Sequence, residues 1–168
     1  MKKLAIFILV ALLVVGCSSG DTTATNEIDG ALFYNGVDIS LIFEEPFVDI
    51  LGEPVSGQIP FFVYDGFEFV AWYNSHTSSF DIEVFRGTDL SMFEINGVSL
   101  NMDKEELIAA FGDPIEDTTR GYAYQRMGYH LLMNDILFEL DFWFDDTSDK
   151  AQSFTIRRCA LSNWWNQR

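Results

Sequence analysis

Short runs of alternating apolar and polar residues fill most of the chain after residue 58 and predict β-strands. The six runs are Ile59–Tyr64, Phe67–Tyr73, Phe80–Arg86, Tyr122–His130, Ile136–Asp145 and Ser153–Arg158. Asp65-Gly66 separates the first two runs, and Asn134-Asp135 and Asp146–Lys150 separate the last three, as expected for tight turns. The pattern therefore predicts two antiparallel meanders of three strands each.

A helix with clear end signals is predicted before the second meander. Asp103 is a good N-cap residue, and Glu106, three positions later, completes a capping box. Apolar residues then follow at helical spacing up to Phe111. Gly112 suits the left-handed conformation past the last turn, and Pro114 prevents the helix from continuing. The helix is thus expected to end at Phe111.

The same arrangement occurs twice, about sixty residues apart. Asn35-Gly36-Val37 recurs as Asn96-Gly97-Val98 with an offset of 61 residues, and residues 44–54 align with residues 104–114 with an offset of 60. The first helix is expected to be short, because Pro46 is tolerated only in its first turn. A tight turn, a short helix and a meander in each copy predict two tandem units. Their expected boundaries are residues 27–95 and 96–168.

The first seventeen residues have the pattern of a secretory signal that ends in a cysteine. Two lysines precede an unbroken apolar run of twelve residues, Leu4–Val15, which is too short to cross a bilayer comfortably. Gly16-Cys17 follows, and this resembles the lipobox of bacterial lipoproteins, whose signal is cut just before a cysteine that receives lipids. The resemblance implies a signal peptide at residues 1–16 and a lipidated cysteine with a flexible tether at residues 17–26. An uncleaved signal anchor with a chance cysteine is the alternative.

Strong acidity limits the partners of the chain. The formal charge is −16, and removing the two lysines of the signal leaves eight basic against 26 acidic residues, or about −18. Such a field repels nucleic acid, which is therefore excluded as a partner. The acidity also keeps an aromatic-rich domain soluble. A lipid on Cys17 would instead hold the domain at a membrane, outside the cytoplasm, on either the cell membrane or the outer membrane.

Only Cys159 remains once Cys17 carries lipid, so a disulfide within the domain is excluded. A partly buried free thiol is expected at Cys159. A catalytic thiol activated by the two preceding arginines is the alternative, but neither His76 nor His130 is near it in the sequence.

Leu51-Gly52-Glu53-Pro54 and Phe111-Gly112-Asp113-Pro114 follow the two predicted helices at equivalent places. With these motifs, two tandem helix-plus-meander units on a secreted lipoprotein resemble the beta-lactamase-inhibitor-protein-like fold, whose single-unit relative is the BamE/SmpA lipoprotein of outer-membrane assembly. This resemblance implies an α+β fold with the helices on one face of a curved sheet and a protein-binding surface on the other. The chain departs from the inhibitor proteins in lacking disulfides, and the small polar residue usual at the helix start is absent from the first unit.

Strand alternation predicts which side chains lie on the uncovered face of the sheet. The outward set includes the aromatic residues Trp72, Phe85 and Trp143 and, among the acidic residues, Glu83 and Asp141. Aromatic residues among charges are typical of protein-binding hot spots, and these five residues are the predicted binding residues. The alternative is that the rings pack on each other or on the N-terminal segment. A further pair, Trp164-Trp165, is expected to pack against the sheet edge.

No constellation of residues indicates catalysis, a cofactor or a metal. The oxygens of Asp145–Asp149 alternate as in a calcium loop, but the glycine and the distal glutamate of an EF-hand are absent, which favours a solvated turn. Neither His76 nor His130 has a second ligand at metal spacing.

The sequence therefore predicts a non-enzymatic, membrane-anchored lipoprotein that binds another extracytoplasmic protein, as an inhibitor or in envelope assembly. The alternative is a lipoprotein that binds a small ligand, a glycan or a divalent cation. A hydrolase is the third hypothesis, and it would require a pocket that holds a carboxylate of raised pKa or a histidine near a nucleophile.

Overall fold

The computed structural model describes residues 27–76, 78–120, 124–145 and 147–159, and these residues are mostly in β-strands. The strands are β1 Glu27–Asp29, β2 Leu32–Tyr34, β3 Val37–Asp38, β4 Ser56–Gln58, β5 Phe61–Tyr64, β6 Phe67–Asn74, β7 Ser79–Gly87, β8 Phe93–Ile95, β9 Val98–Ser99, β10 Glu116–Arg120, β11 Tyr124–Met133, β12 Ile136–Asp145 and β13 Ala151–Arg158. Two α-helices, α1 Phe47–Leu51 and α2 Lys104–Phe111, and two short 3-10 helices, Ser40–Phe43 and Leu90–Met92, complete the described elements.

Two sheets organise these strands. A nine-stranded sheet has the order β1-β11-β12-β13-β7-β6-β5-β4, and β10 also pairs with β11. All its pairs are antiparallel except β1 with β11, so the sheet is mixed. The remaining strands form a four-stranded sheet in the order β3-β2-β8-β9.

The predicted α+β class is wrong, because the protein is mostly β. The α-helices of the described residues are only five and eight residues long. The segments around the two Asn-Gly turns, expected merely to lead into each unit, form a second sheet of their own. The turns themselves are confirmed: Asn35 and Gly36 have φ of 49° and 76°, and Asn96 and Gly97 have φ of 53° and 79°. Positive φ at both central residues is the geometry of a tight hairpin.

The strand predictions from alternation are confirmed, with shifted ends. All six predicted runs correspond to observed strands, from β5 to β7 and from β11 to β13. The edge strands β4 and β10 were not predicted. Their sequences, Ser-Gly-Gln and Glu-Asp-Thr-Thr-Arg, contain no apolar residue and therefore give no alternation signal.

The two copies of the repeat meet in both sheets. β2, which precedes the first Asn-Gly turn, pairs antiparallel with β8, which precedes the second one, and β7 pairs antiparallel with β13. Each pair joins equivalent strands, so the copies are related by an approximate two-fold axis. The large sheet therefore runs without interruption from one copy into the other.

The helices have the start and end signals that the sequence predicts. Asp103 accepts a hydrogen bond from the Glu106 N–H, and the Glu106 carboxylate accepts one from the Asp103 N–H, which completes the capping box. Gly52 and Gly112 follow the last helical residues with φ of 74° and 83°. Such values favour glycine.

A buried tyrosine holds the end of each helix. The Tyr64 hydroxyl donates to the Gly52 carbonyl at 2.8 Å, and the Tyr129 hydroxyl donates to the Gly112 carbonyl at 3.3 Å. Burial raises the pKa of both tyrosines to about 12, with a smaller contribution from Glu53 for Tyr64 and from Asp113 and Asp117 for Tyr129. The protonated hydroxyl is thus part of the folded structure.

Alkaline unfolding should depend on these two hydroxyls. A pKa raised above its unfolded value near 10 stabilises the fold fully below about pH 10, and this stability is lost as the pH rises through about 12. Urea unfolding of the wild type between pH 8 and 12 should therefore show a loss that the Tyr64→Phe/Tyr129→Phe variant largely lacks. At pH 7 each substitution should cost about 1 kcal/mol for the lost hydrogen bond. Parallel pH curves for the two proteins would contradict this role.

The core lies on one face of the large sheet. Phe47 of α1 contacts Phe69 of β6, and Phe111 of α2 contacts Phe142 of β12. From the small sheet, Phe93 packs against several rings of the large sheet, namely Phe67, Phe85 and Phe154. Within the described ranges no further element covers the opposite face, which we call the open face. No helix among the described residues has the length and apolar character needed to cross a bilayer.

Candidate binding face

Two rows of outward-facing residues cross the open face from strand to strand. The first row contains Phe61, Val70, Val84, Arg157, Glu139 and His130. The second row contains Val63, Glu68, Arg86, Thr155, Asp141 and Gly128. Since partners in a row are one strand spacing apart, about 4.8 Å, their side chains touch or nearly touch. The first-copy part of these rows is largely apolar, and the second-copy part is largely polar, with three charged residues.

The apolar part consists of Phe61, Val63, Val70 and Val84, which we call the apolar patch. Phe61 is 60 % exposed and Val63 36 %. Together with Glu68 and Arg86 the four residues line a groove of about 230 Å³. An exposed cluster of this kind on a folded domain is typical of an interaction site.

Trp72 extends the apolar patch along β6. Its side chain is 54 % exposed, and its indole N–H donates to the Glu83 carboxylate at 2.7 Å. The outward position of Trp72, predicted from strand alternation, is thus confirmed, and the structure brings Trp72 and Glu83 together. The hydrogen bond holds the indole against the strand while leaving much of its surface in solvent.

The charged part is organised around Asp141, whose side chain is only 1 % exposed. Arg126 donates through Nε to Asp141 Oδ1 at 2.7 Å, and Arg157 donates through a terminal nitrogen to Oδ2 at 2.8 Å. Glu116 pairs with a terminal nitrogen of Arg126 at 3.0 Å, and Glu139 pairs at 3.3 Å with the same Arg157 nitrogen that contacts Asp141. We call these five residues the charge network.

Asp141 does lie on the predicted face of β12, but it is not available to a partner. The expectation that Asp141 offers an exposed carboxylate on this face is therefore wrong. The two arginines above it come from β11 and β13 and cover it from both sides.

The predicted exposure of Phe85 is also wrong, because Phe85 is fully buried. In the pairing of β6 with β7, Val70 faces Val84 but the next residue, Ala71, faces Ile82. Glu83 is thus the extra residue of a β-bulge, which exchanges the inward and outward positions beyond it. Val84 consequently joins the open face, and Phe85 packs in the core.

A second groove, of about 520 Å³, lies where the two copies meet on the open face. It is lined by Arg86, Trp143, Asp145, Gln152, Ser153 and Thr155, and we call it the central groove. The indole N–H of Trp143 donates to the Thr155 hydroxyl at 3.2 Å, which fixes the ring beside the groove. Trp143 is half-buried on the predicted face. Arg86 also lines the groove of the apolar patch, so the two grooves adjoin there.

Alternation within Ile59–Tyr64 was the available signal for Phe61 and Val63, which were absent from the predicted binding residues. Val84 could be assigned to the open face only if the β-bulge at Glu83 was known. Arg126 and Arg157 meet at Asp141 because β11 and β13 both pair with β12. The sequence carries no local signal for this pairing.

The remaining candidates from the sequence are Cys159, the turn that begins at Asp145 and the possible metal ligands; of these, Asp145 also lines the central groove. Burial, assisted by Glu139, raises the pKa of the Cys159 thiol, which opposes a reactive thiolate. Asp145 accepts hydrogen bonds from the Thr147 N–H and hydroxyl at 2.8 and 2.9 Å, and they lower the pKa of its carboxyl. Among the described residues no group of three or more His, Cys, Asp or Glu side chains is placed to hold a metal ion. Cys17 and Trp164-Trp165 lie outside the described residues.

Comparisons of the chain with models of known protein families, with characterised proteins and with solved structures find no match. The open face therefore has to be interpreted from its own chemistry.

Proposed function

We propose that this chain is a membrane-tethered extracytoplasmic protein that binds another protein through the open face of its large sheet, without catalysing a reaction. The tether is the lipid on Cys17, which holds the domain at the cell membrane or the outer membrane. The observation that carries the binding role is the apolar patch, left uncovered beside the charge network.

The open face has the composition of a protein interface. Its apolar centre offers Phe61 and Trp72, which are 60 % and 54 % exposed. Charged pairs border this centre, including Arg86 with Glu68 at 3.3 Å. An apolar, aromatic-rich centre with a polar rim is the usual arrangement at protein–protein interfaces.

The charge network gives this face a rigid frame. Each arginine in it bridges two carboxylates, so β11, β12 and β13 are tied together on the open side as well as by their backbones. A preordered surface loses less conformational entropy when a partner binds. The surplus of acid over base favours a partner whose surface has an apolar centre and basic surroundings.

Phe61→Ser should abolish partner binding without unfolding the domain, because Phe61 is largely exposed. Val37→Ser is the matched control, since Val37 is 55 % exposed on β3 of the small sheet, away from the open face. The three full-length proteins would be recovered from detergent-solubilised membranes of the native cell, and co-purifying proteins quantified by mass spectrometry. We expect at least one protein to be enriched with wild type and Val37→Ser and reduced at least tenfold with Phe61→Ser. Equal recovery with all three would contradict the proposal.

Lipid attachment has its own test. Cys17→Ala should eliminate incorporation of radiolabelled palmitate and release the protein from the membrane fraction, because several acyl chains on one residue are needed for stable anchoring. Labelling that persists in the Cys17→Ala variant would contradict attachment at Cys17.

A further inference from the structure

We propose that the central groove is a binding site for a short, neutral oligosaccharide. This site lies beside the apolar patch and does not depend on the protein-binding role. Its volume of about 520 Å³ is within the range of small-ligand sites, about 300–1,000 Å³.

Trp143 supplies an ordered aromatic surface at the groove. Its N–H is engaged by Thr155, so the ring is held in one orientation before any ligand arrives. An aromatic ring offers an apolar face to a ligand, and sugar rings have an apolar face of C–H groups with hydroxyls around the edge. Stacking on Trp143 would therefore bury the part of a sugar that water solvates least.

The other lining residues provide hydrogen bonds for hydroxyl groups. Ser153 is 6 % exposed, and its hydroxyl has no hydrogen-bond partner among the described residues. Gln152 uses its amide nitrogen on the Ser148 hydroxyl and the Lys150 carbonyl, which leaves its amide oxygen to accept. Hydroxyls both donate and accept, so a polyhydroxylated ligand can satisfy both residues.

Each charged group in the groove already has a partner or hydrogen bonds within the protein, which favours a neutral ligand. Arg86 forms an ion pair with Glu68 at 3.3 Å, and Asp145 accepts from Thr147 within its own turn. A phosphate would need more than the single guanidinium present. A long acyl chain would desolvate Ser153, Gln152 and Asp145 without replacing their hydrogen bonds.

Chitotriose, cellotriose and maltotriose are suitable probes, each titrated up to 10 mM into the full chain in detergent and followed by calorimetry and by saturation-transfer NMR. We expect saturable binding of at least one trisaccharide. Trp143→Ala should weaken it at least tenfold. Trp72→Ala should leave it unchanged, because Trp72 lies on the same face but outside the groove.

Gln152→Ala provides a second variant, since Gln152 is exposed and its removal should not disturb the fold; we expect at least threefold weaker binding. Absence of binding by all three sugars, or binding unchanged by both Trp143→Ala and Gln152→Ala, would overturn the site. Loss of protein binding in Phe61→Ser would stand in either case, because that test uses different residues.

Discussion

Asp141→Ala is expected to lower the free energy of unfolding by about 3–5 kcal/mol. Asp141 is 1 % exposed and accepts hydrogen bonds from both Arg126 and Arg157. Removing its carboxylate leaves two guanidinium groups facing each other over the sheet. Arg126, whose side chain is only 12 % exposed, would then pair with Glu116 alone among the described residues. A buried charge that loses its partner is among the most destabilising changes in a folded protein.

Glu139→Ala is the matched control for this prediction. Glu139 lies two residues from Asp141 on the same face and also pairs with Arg157, but its side chain is 45 % exposed. An exposed ion pair contributes about 0–1 kcal/mol, so this variant should unfold almost like the wild type. Urea unfolding followed by circular dichroism compares the two. If both variants lose the same small amount, Asp141 is not the centre of the charge network.

Gly87→Ala should destabilise the protein by about 1–3 kcal/mol. Gly87 of β7 faces Phe154 of β13 at the junction of the two copies, and a methyl group added at Gly87 would overlap the Phe154 ring. Phe154 is fully buried between Phe85 and Phe142 and cannot move aside freely. The clash therefore destabilises the pairing of β7 with β13, which joins the copies into one sheet.

Two further variants separate this clash from other effects at Gly87. Arg86→Ala changes the adjacent residue on the open face and should cost less than about 1 kcal/mol. Phe154→Leu removes part of the ring, so its combination with Gly87→Ala should cost less than the sum of the single losses. Thermal unfolding of the wild type, the three single variants and the double variant measures these differences. Additive losses would mean that Gly87 and Phe154 do not interact.

The local elements of this fold could be predicted well because their signals are local. Alternation predicts the long strands, and the capping box and Gly112 locate both ends of α2. The predicted fold class was wrong because the second sheet depends on pairing between distant residues. The pairing of β2 with β8 joins residues about sixty positions apart, and three-residue strands leave no readable period.

The face assignment of Phe85 failed because one extra residue reverses strand parity. The repeat contains a signal for this bulge that alternation alone misses. β13 has a register shift at the equivalent place, where Trp143 faces Ser153 and Phe144 faces Ala151. When Ile82–Phe85 is aligned with Ala151–Phe154, Phe85 corresponds to Phe154, which faces the core. The repeat therefore predicts that Phe85 is buried.

The burial of Asp141 could not be predicted from the sequence of its own strand. Parity correctly places Asp141 on the open face, yet its exposure depends on arginines from two neighbouring strands. Knowledge of the register is needed before Arg126 and Arg157 can be assigned to the same carboxylate.

Photocrosslinking in intact cells tests the role of the open face most directly. A benzophenone amino acid would replace Phe61 on the open face or Val37 on the small sheet, two positions of similar exposure, 60 % and 55 %. If another envelope protein binds the open face, irradiation should give a discrete adduct with it from position 61 and none from position 37. The same adducts from both positions, or an adduct from position 37 alone, would contradict binding through the open face.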